Sequence, residues 1–351
     1  MKRKTVAIGV LVLGALIAFP HCLFASCGQA FCPIETGGSL VEEPLSRGQL
    51  YINLMYEFID QDQPYVHTDS VPVGALPRAH DEQFTHNQSV KLQLDYGLTS
   101  RFTLGVMLPF VDRLHQHLAH EEEEVIGGEV GQTETVNVTE RWRYQEFGDM
   151  QISTRYLLLQ QTTPYSPALS LILGAKLATG RTNIKNDEGE AAELTLQPGQ
   201  GAWEGIVGFS YTQNFAVSTL RRETALASFF VTTLGRFPVA VGKFGYEPGG
   251  QMLLNVGVSY PLFRKFQLLG QVNFSYRDRD SIGHAPGLEK SDSGREEIFL
   301  SPGVRYNLTD TLALYTIVPV TAYRRVNGIQ LTSDWSITSG LYYRFNLLSL
   351  L

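Results

Sequence analysis

The sequence predicts an all-β protein: a transmembrane antiparallel up-and-down β-barrel of the outer-membrane type, with about twelve strands. Three observations predict it. The chain alternates apolar and polar residues at period two, its links alternate short and long, and it opens with an export signal. All three are needed, because a water-soluble sandwich also alternates.

The export signal comes first. Lys2, Arg3 and Lys4 precede an apolar run from Val6 to Phe19, which Pro20 ends, and the small residues Ala25 and Ser26 follow. This is the layout of a secretory signal peptide, and the apolar core is too short for a comfortable spanning helix. Residues 1–25 are expected to be cleaved, sending the mature chain to the outer membrane of a Gram-negative cell. Phe24-Ala25-Ser26-Cys27 also loosely resembles a lipid-attachment box, with Phe24 where such a box usually carries Leu. If Cys27 is not lipidated, Cys27 and Cys32 form an even pair in an oxidising compartment, and a short-loop disulfide is expected. Residues 26–48 are then a periplasmic lead or a plug within the lumen.

Composition narrows the partners. A mean hydropathy of -0.07 fits a soluble domain, or a barrel whose strands show one face to lipid and one to a polar lumen. The 33 Gly, 16 Tyr and 19 Phe favour strands and turns. The formal charge is -7, and losing Lys2, Arg3 and Lys4 with the signal leaves the mature chain at -10. Nucleic acid is therefore excluded as a partner. Outer-membrane lipid, the export and barrel-assembly machinery and a small solute are the partners implied.

From Gly48 the alternation is explicit. Leu50, Ile52, Leu54, Tyr56 and Phe58 share one face, opposite Asn53 and Glu57. Val90, Leu92, Leu94 and Tyr96 oppose Ser89, Lys91, Gln93 and Asp95, and Phe102 to Phe110 repeats the pattern. Later segments do the same, ending with Trp335, Ile337, Leu341, Tyr343 and Phe345 opposite Ser336, Thr338 and Arg344. The barrel is expected over 49–345, with a tail over 346–351. Short links are expected near Gly97–Ser100, Gln160–Ser166, Thr212–Phe215, Pro261–Lys265 and Asn307–Asp310. Long loops are expected over Asp60–Asn87, Asp112–Gln145, Gly180–Gly201, Arg236–Gly249, Asp278–Glu296 and Arg324–Ser333. The seventh strand is placed within Ala216–Leu234. Short turns on one rim and long loops on the other put both termini in the periplasm.

Several stretches also resemble a known family. "LQLDYGLTSRFTLGVMLPF", "EFGDMQISTRYLLL", "LILGAKLATGRT" and "REEIFLSPGVRYNLTDTLALYTIVPV", followed by "VNGIQL", are similar to barrels assigned to the MetA pathway of phenol degradation. The resemblance runs from about Leu50 to Phe345. It implies a porin-like, monomeric outer-membrane barrel of about a dozen strands with a transport role, and it carries no catalytic residues over. Two features depart from it. Asn346–Leu351 follow the terminal aromatic Phe345, and neither the Cys27–Cys32 lead nor the histidine-bearing loops belong to the pattern.

The inward parity selects the candidate pore lining: Glu57, Lys91, Asp95, Arg155, Lys176, Glu204, Arg277, Glu297, Arg305 and Arg344. A charge on the lipid face would cost about 2–4 kcal/mol at the midplane, so the phase of these residues is informative. They either line a charge-selective channel or pair across a narrow lumen and fill it. His115, His117 and His120 lead into Glu121–Glu124 in an expected outer loop. Imidazoles so spaced beside carboxylates can hold zinc, nickel or copper; a solvated acidic loop is the plainer reading. His67, His80, His86 and His284 are expected in loops as well.

Catalysis lacks a basis at this level. A hydrolase needs a base oriented beside a nucleophile; no expected strand carries a histidine, and no nucleophile-elbow or zinc-protease motif occurs. "GGEVGQ" lacks the strand–helix context of a phosphate loop, so no cofactor is assigned. Passage of small solutes, aromatic or apolar ones among them, is the first functional reading. The second is a non-conducting surface barrel whose acidic, histidine-bearing loops bind a metal ion or a partner.

Overall fold

The computed structural model describes residues 45–74, 80–124, 133–281, 283 and 290–347. The signal segment, Cys27, Cys32, His284 and the end of the tail lie outside them. The described chain forms a closed antiparallel barrel of twelve strands. In chain order these are β1 (Gln49–Gln61), β2 (His80–Gly97), β3 (Phe102–Glu124) and β4, in two segments (Thr133–Phe147 and Gln151–Leu159). Then come β5 (Ala168–Lys176), β6 (Glu204–Ser218), β7 (Thr224–Pro238), β8 (Gln251–Phe263), β9 (Phe266–Arg277) and β10 (Arg295–Asn307). β11 is again in two segments (Leu312–Ile317 and Val320–Val326), and β12 is Ser336–Asn346. Pro319 has no N–H to give to a ladder, which suits it to the break in β11.

Each strand pairs with its sequence neighbours, and β1 pairs β12 from Gln49↔Asn346 to Ile59↔Ser336, closing the wall. Closure removes the open edges that lipid cannot satisfy. The burial pattern follows the pleat. On β1, Tyr51, Asn53, Met55, Glu57, Ile59 and Gln61 are buried within the barrel, while Leu54 and Tyr56 are exposed outward. One inner wall is apolar: Tyr51, Met55, Ile59, Tyr315, Ile317 and Tyr342 pack together with Leu45. Gly340 makes room there, because a Cβ on it would fall 2.4 Å from the Tyr315 hydroxyl.

Two expectations about links change. The turn placed at Thr212–Phe215 is interior to β6, which runs on to Ser218. Thr219 makes the real turn: its carbonyl accepts from Arg222 N at 2.9 Å, its hydroxyl accepts from Glu223 N at 3.1 Å, and Arg222 takes φ 61°. The seventh strand therefore starts at Thr224 and reaches Pro238. The link Arg324–Ser333 holds a strand of its own, Ile329–Thr332, which joins Gln63–Val66 and Asp69–Ser70 in a small sheet at the rim.

The larger correction concerns the loops Asp60–Asn87 and Asp112–Gln145. β2 begins at His80, and β3 and β4 continue as a hairpin paired from Phe110↔Phe147 to Glu124↔Thr133. Crossing a membrane takes about 9–11 residues, yet β3 has 23. The outward face shows where the membrane ends. Leu104, Val106, Leu108 and Phe110 give way to Asp112 and Gln116, and opposite them Phe147 gives way to exposed Gln145, Arg143 and Arg141. Above that level the hairpin stands clear of hydrocarbon.

The segment 177–203 turns inward instead of outward. Ile184, Ala192, Leu194 and Leu196 are buried. Trp142 Nε1 donates to the Glu190 carbonyl at 3.1 Å, Tyr144 donates to the Leu196 carbonyl at 2.5 Å, and Arg113 donates to the Thr195 carbonyl at 3.2 Å. Trp142 and Tyr144 are the inward-facing residues of the β4 extension, so the loop packs against the inner side of the long-loop rim.

Candidate functional site

The charged residues inside the barrel are grouped in pairs. Glu57 takes Lys91 Nζ at 2.9 and 3.0 Å, across β1 and β2. Lys176 pairs with Glu204 across β5 and β6, donates to Gln200 at 2.5 Å and lies 3.6 Å from Asp149. Glu297 sits between Arg295 at 3.1 Å and Arg324 at 3.8 Å. Arg277 holds Asp280 at 2.6 Å. Asp95 accepts from Gln93 at 2.8 Å and feels the charge of Arg155. Arg305 lies over the Tyr342 ring at 4.8 Å and donates to Asn307 at 3.1 Å. Arg344 pairs across the seam with Tyr51, near the short-turn rim.

Lys176, Glu204 and Arg277 come together at one cavity of about 170 Å³ within the barrel, below the inward loop. Arg113, Arg236 and Asp149 complete its charged lining. Four bases face two acids there. The other predicted lumen residues lie elsewhere on the inner wall. Arg113, Arg236 and Asp149 were not singled out by sequence; Arg113 lay in an expected loop, and Asp149 sits in the break of β4.

The histidines form a second cluster, on strands and not in a loop. The register of β2 against β3 sets Glu82 opposite His117, His80 opposite Ala119 and Thr85 opposite His115, with an irregularity between Glu82 and Phe84. All of these polar side chains face inward and are buried. His80 Nε2 lies 3.4 Å from Glu82 Oε1 and 3.6 Å from Glu193 Oε1 of the inward loop. His115 Nε2 lies 3.2 Å from Glu82 Oε2, and His117 Nε2 lies 2.5 Å from Glu140 Oε2 on β4. Trp142 packs against both His115 and His117. Burial lowers His115 and His117 to about 4, so both imidazoles are neutral near pH 7.

His120 is not part of this group. It contacts Asp81 at 2.9 Å and Asn137 at 2.7 Å near the rim. His86 pairs with Asp60 at 3.1 Å. Sequence reading missed His80, Glu82 and Glu193, though His80–Glu82 and His115–His117 both carry the two-residue spacing that puts side chains on one strand face. Thr85 Oγ1 lies 2.8 Å from His115 Nδ1, which continues through His115 to Glu82 as a hydroxyl–imidazole–carboxylate series. Thr85 is 2% and His115 0% exposed. A substrate has no approach to that hydroxyl, and the series reads as a buried polar network.

No family model matches the chain, and no curated protein matches it. Among solved structures it is similar to an outer membrane channel from Pseudomonas putida F1, with TM-score 0.59 and 13% identity over 88% of this chain and 99% of that one. The NanC porin gives TM-score 0.42 at 7% identity, covering 83% of this chain and 98% of the porin. A FadL homologue from Pseudomonas aeruginosa gives 0.40 at 10% identity, covering 85% and 90%. At such identities the first likeness establishes the fold, an outer-membrane-type barrel.

Proposed function

We propose that the protein is a passive outer-membrane channel for small solutes, with a preference for anions. The cavity of about 170 Å³ inside the wall, whose four lining bases outnumber its two lining acids together with Asp280, the partner of Arg277, is the observation that carries this reading. Low-dielectric walls focus that excess of positive charge, raising the local concentration of anions. The apolar outer face and the polar inner face fit a chain whose surroundings are lipid outside and water within. The resemblance to the MetA-pathway barrels supports aromatic solutes. The charged lining favours those that carry a carboxylate or another small anionic group over purely apolar ones. The reading also takes the mature chain to the Gram-negative outer membrane after signal cleavage, delivered by the export and barrel-assembly machinery.

Recording from the purified full chain in a planar bilayer tests this. Stepwise openings are expected, with a reversal potential in a KCl gradient displaced toward chloride. Arg236→Gln is expected to reduce the chloride-to-potassium permeability ratio by about two-fold or more, because it removes one of the lining charges. A folded barrel that never conducts would support the non-conducting surface protein instead. Cation preference would overturn the anionic part of the proposal.

A further inference from the structure

The geometry points to a divalent transition-metal site, of the kind zinc occupies, formed by His80, Glu82 and His117 inside the long-loop rim. One ligand atom from each lies within 4.8 Å of the others, and all three residues are buried. The inference does not depend on conduction, since the cluster lies above the membrane level marked by Phe110 and Phe147.

Four features distinguish this cluster from a solvated acidic surface. The ligands come from fixed positions in a hydrogen-bonded hairpin, with Glu82 directly opposite His117. The separation of His80 Nε2 and Glu82 Oε1, 3.4 Å, matches the spacing of two ligands on a tetrahedral zinc, about 3.3 Å for bonds of about 2.0–2.1 Å. His117 is oriented by Glu140 at Nε2, leaving Nδ1 buried and without a hydrogen-bond partner. A carboxylate on the far nitrogen is the arrangement that fixes the tautomer of a metal-bound imidazole. Both Glu82 oxygens are likewise buried, facing the imidazoles of His80 at 3.4 Å and His115 at 3.2 Å. A cation among these atoms would meet two imidazole nitrogens and a carboxylate, a set suited to zinc and to copper or nickel. Glu193, 3.6 Å from His80, stands where a fourth ligand belongs. A bound cation would then tie β2, β3 and the inward loop 177–203 together at the mouth of the barrel.

Calorimetric titration of the tag-free, detergent-solubilised full chain with zinc chloride is the test. One zinc per chain is expected, with a dissociation constant of about 1 µM or tighter. His117→Ala and Glu82→Gln are each expected to weaken binding by about tenfold or more. His86→Ala, whose ring pairs with Asp60 elsewhere, should leave it unchanged. Heat-shifted migration on a gel shows whether each variant is folded, and Glu82→Gln, which keeps the side-chain volume, decides the matter if His117→Ala does not fold. X-ray absorption at the zinc edge should show two imidazoles. Non-saturating heats with the wild-type chain, or binding that survives both variants unchanged, would overturn the site.

Discussion

The wall is decided residue by residue, by which side of the pleat a side chain occupies. Val272, in the middle of β9, is 47% exposed on the outer face, and its neighbours Gln271 and Asn273 are buried inside. Asn273 donates to Asn255 at 2.8 Å and accepts from Ser301 at 2.5 Å, so the inner face is held by a ladder of amides and hydroxyls. An arginine at position 272 would place its charge in hydrocarbon, at a cost of about 2–4 kcal/mol near the midplane. Val272→Arg is therefore expected to lower the midpoint of reversible urea unfolding in lipid vesicles, while Val272→Leu leaves it unchanged. Equal midpoints would mean that this face does not meet lipid. The phase of such strands was legible in the sequence, because the membrane demands an apolar outer face wherever the strand crosses it. The histidine cluster was not legible, because Glu82 and His117 are 35 positions apart and only the register brings them together.

At the scale of elements, paired charges join strands to the inward loop. Lys176 ends β5, Glu204 begins β6, and the segment between them supplies Gln200, which accepts from Lys176. Both charged side chains are about one-tenth exposed. Removing one partner leaves the other charge buried and uncompensated, a loss of about 3–5 kcal/mol, whereas replacing both with uncharged residues of similar size is often nearly neutral. Lys176→Met should therefore lower the unfolding midpoint strongly, and Lys176→Met with Glu204→Gln should recover most of it. Additive effects in that double-mutant cycle would show the pair to be uncoupled. Element boundaries were less legible than strand phase, for a physical reason. Above Phe110 the outer face of β3 meets water, so Asp112 and Gln116 interleave with Leu114 and Leu118 while charged and imidazole side chains fill the inner face, and the apolar-against-polar alternation blurs. The hydrogen-bonded ladder continues without it, to Glu124↔Thr133. A strand that leaves the membrane keeps its backbone pairing and loses the pattern by which it is recognised.

For the whole molecule, closure is the property on which the others depend. An even number of antiparallel strands returns the chain to the rim where it began, and β12 can then pair with β1. The register of that seam fixes the shear of the barrel, and so which inner side chains share a level. Leu54 lies opposite Leu341, both exposed on the outer face. Directly opposed residues in an antiparallel pair have Cα atoms about 4.5–5.5 Å apart, inside the range of about 4.4–6.8 Å that a disulfide spans. With Cys27 and Cys32 replaced by serine, the pair Leu54→Cys and Leu341→Cys is expected to oxidise in folded protein. The product should migrate faster on a denaturing gel without reductant, because the cross-link closes most of the chain into a ring. The offset pair Leu54→Cys and Tyr343→Cys keeps both thiols on the outer face but moves one two residues along β12, and it should stay reduced under the same mild oxidant. Cross-linking of the offset pair in preference to the aligned one would mean a seam shifted by two residues. The contacts that span the closure, Tyr51 with Tyr342 and Tyr315 with Asn53, would then need to be rebuilt.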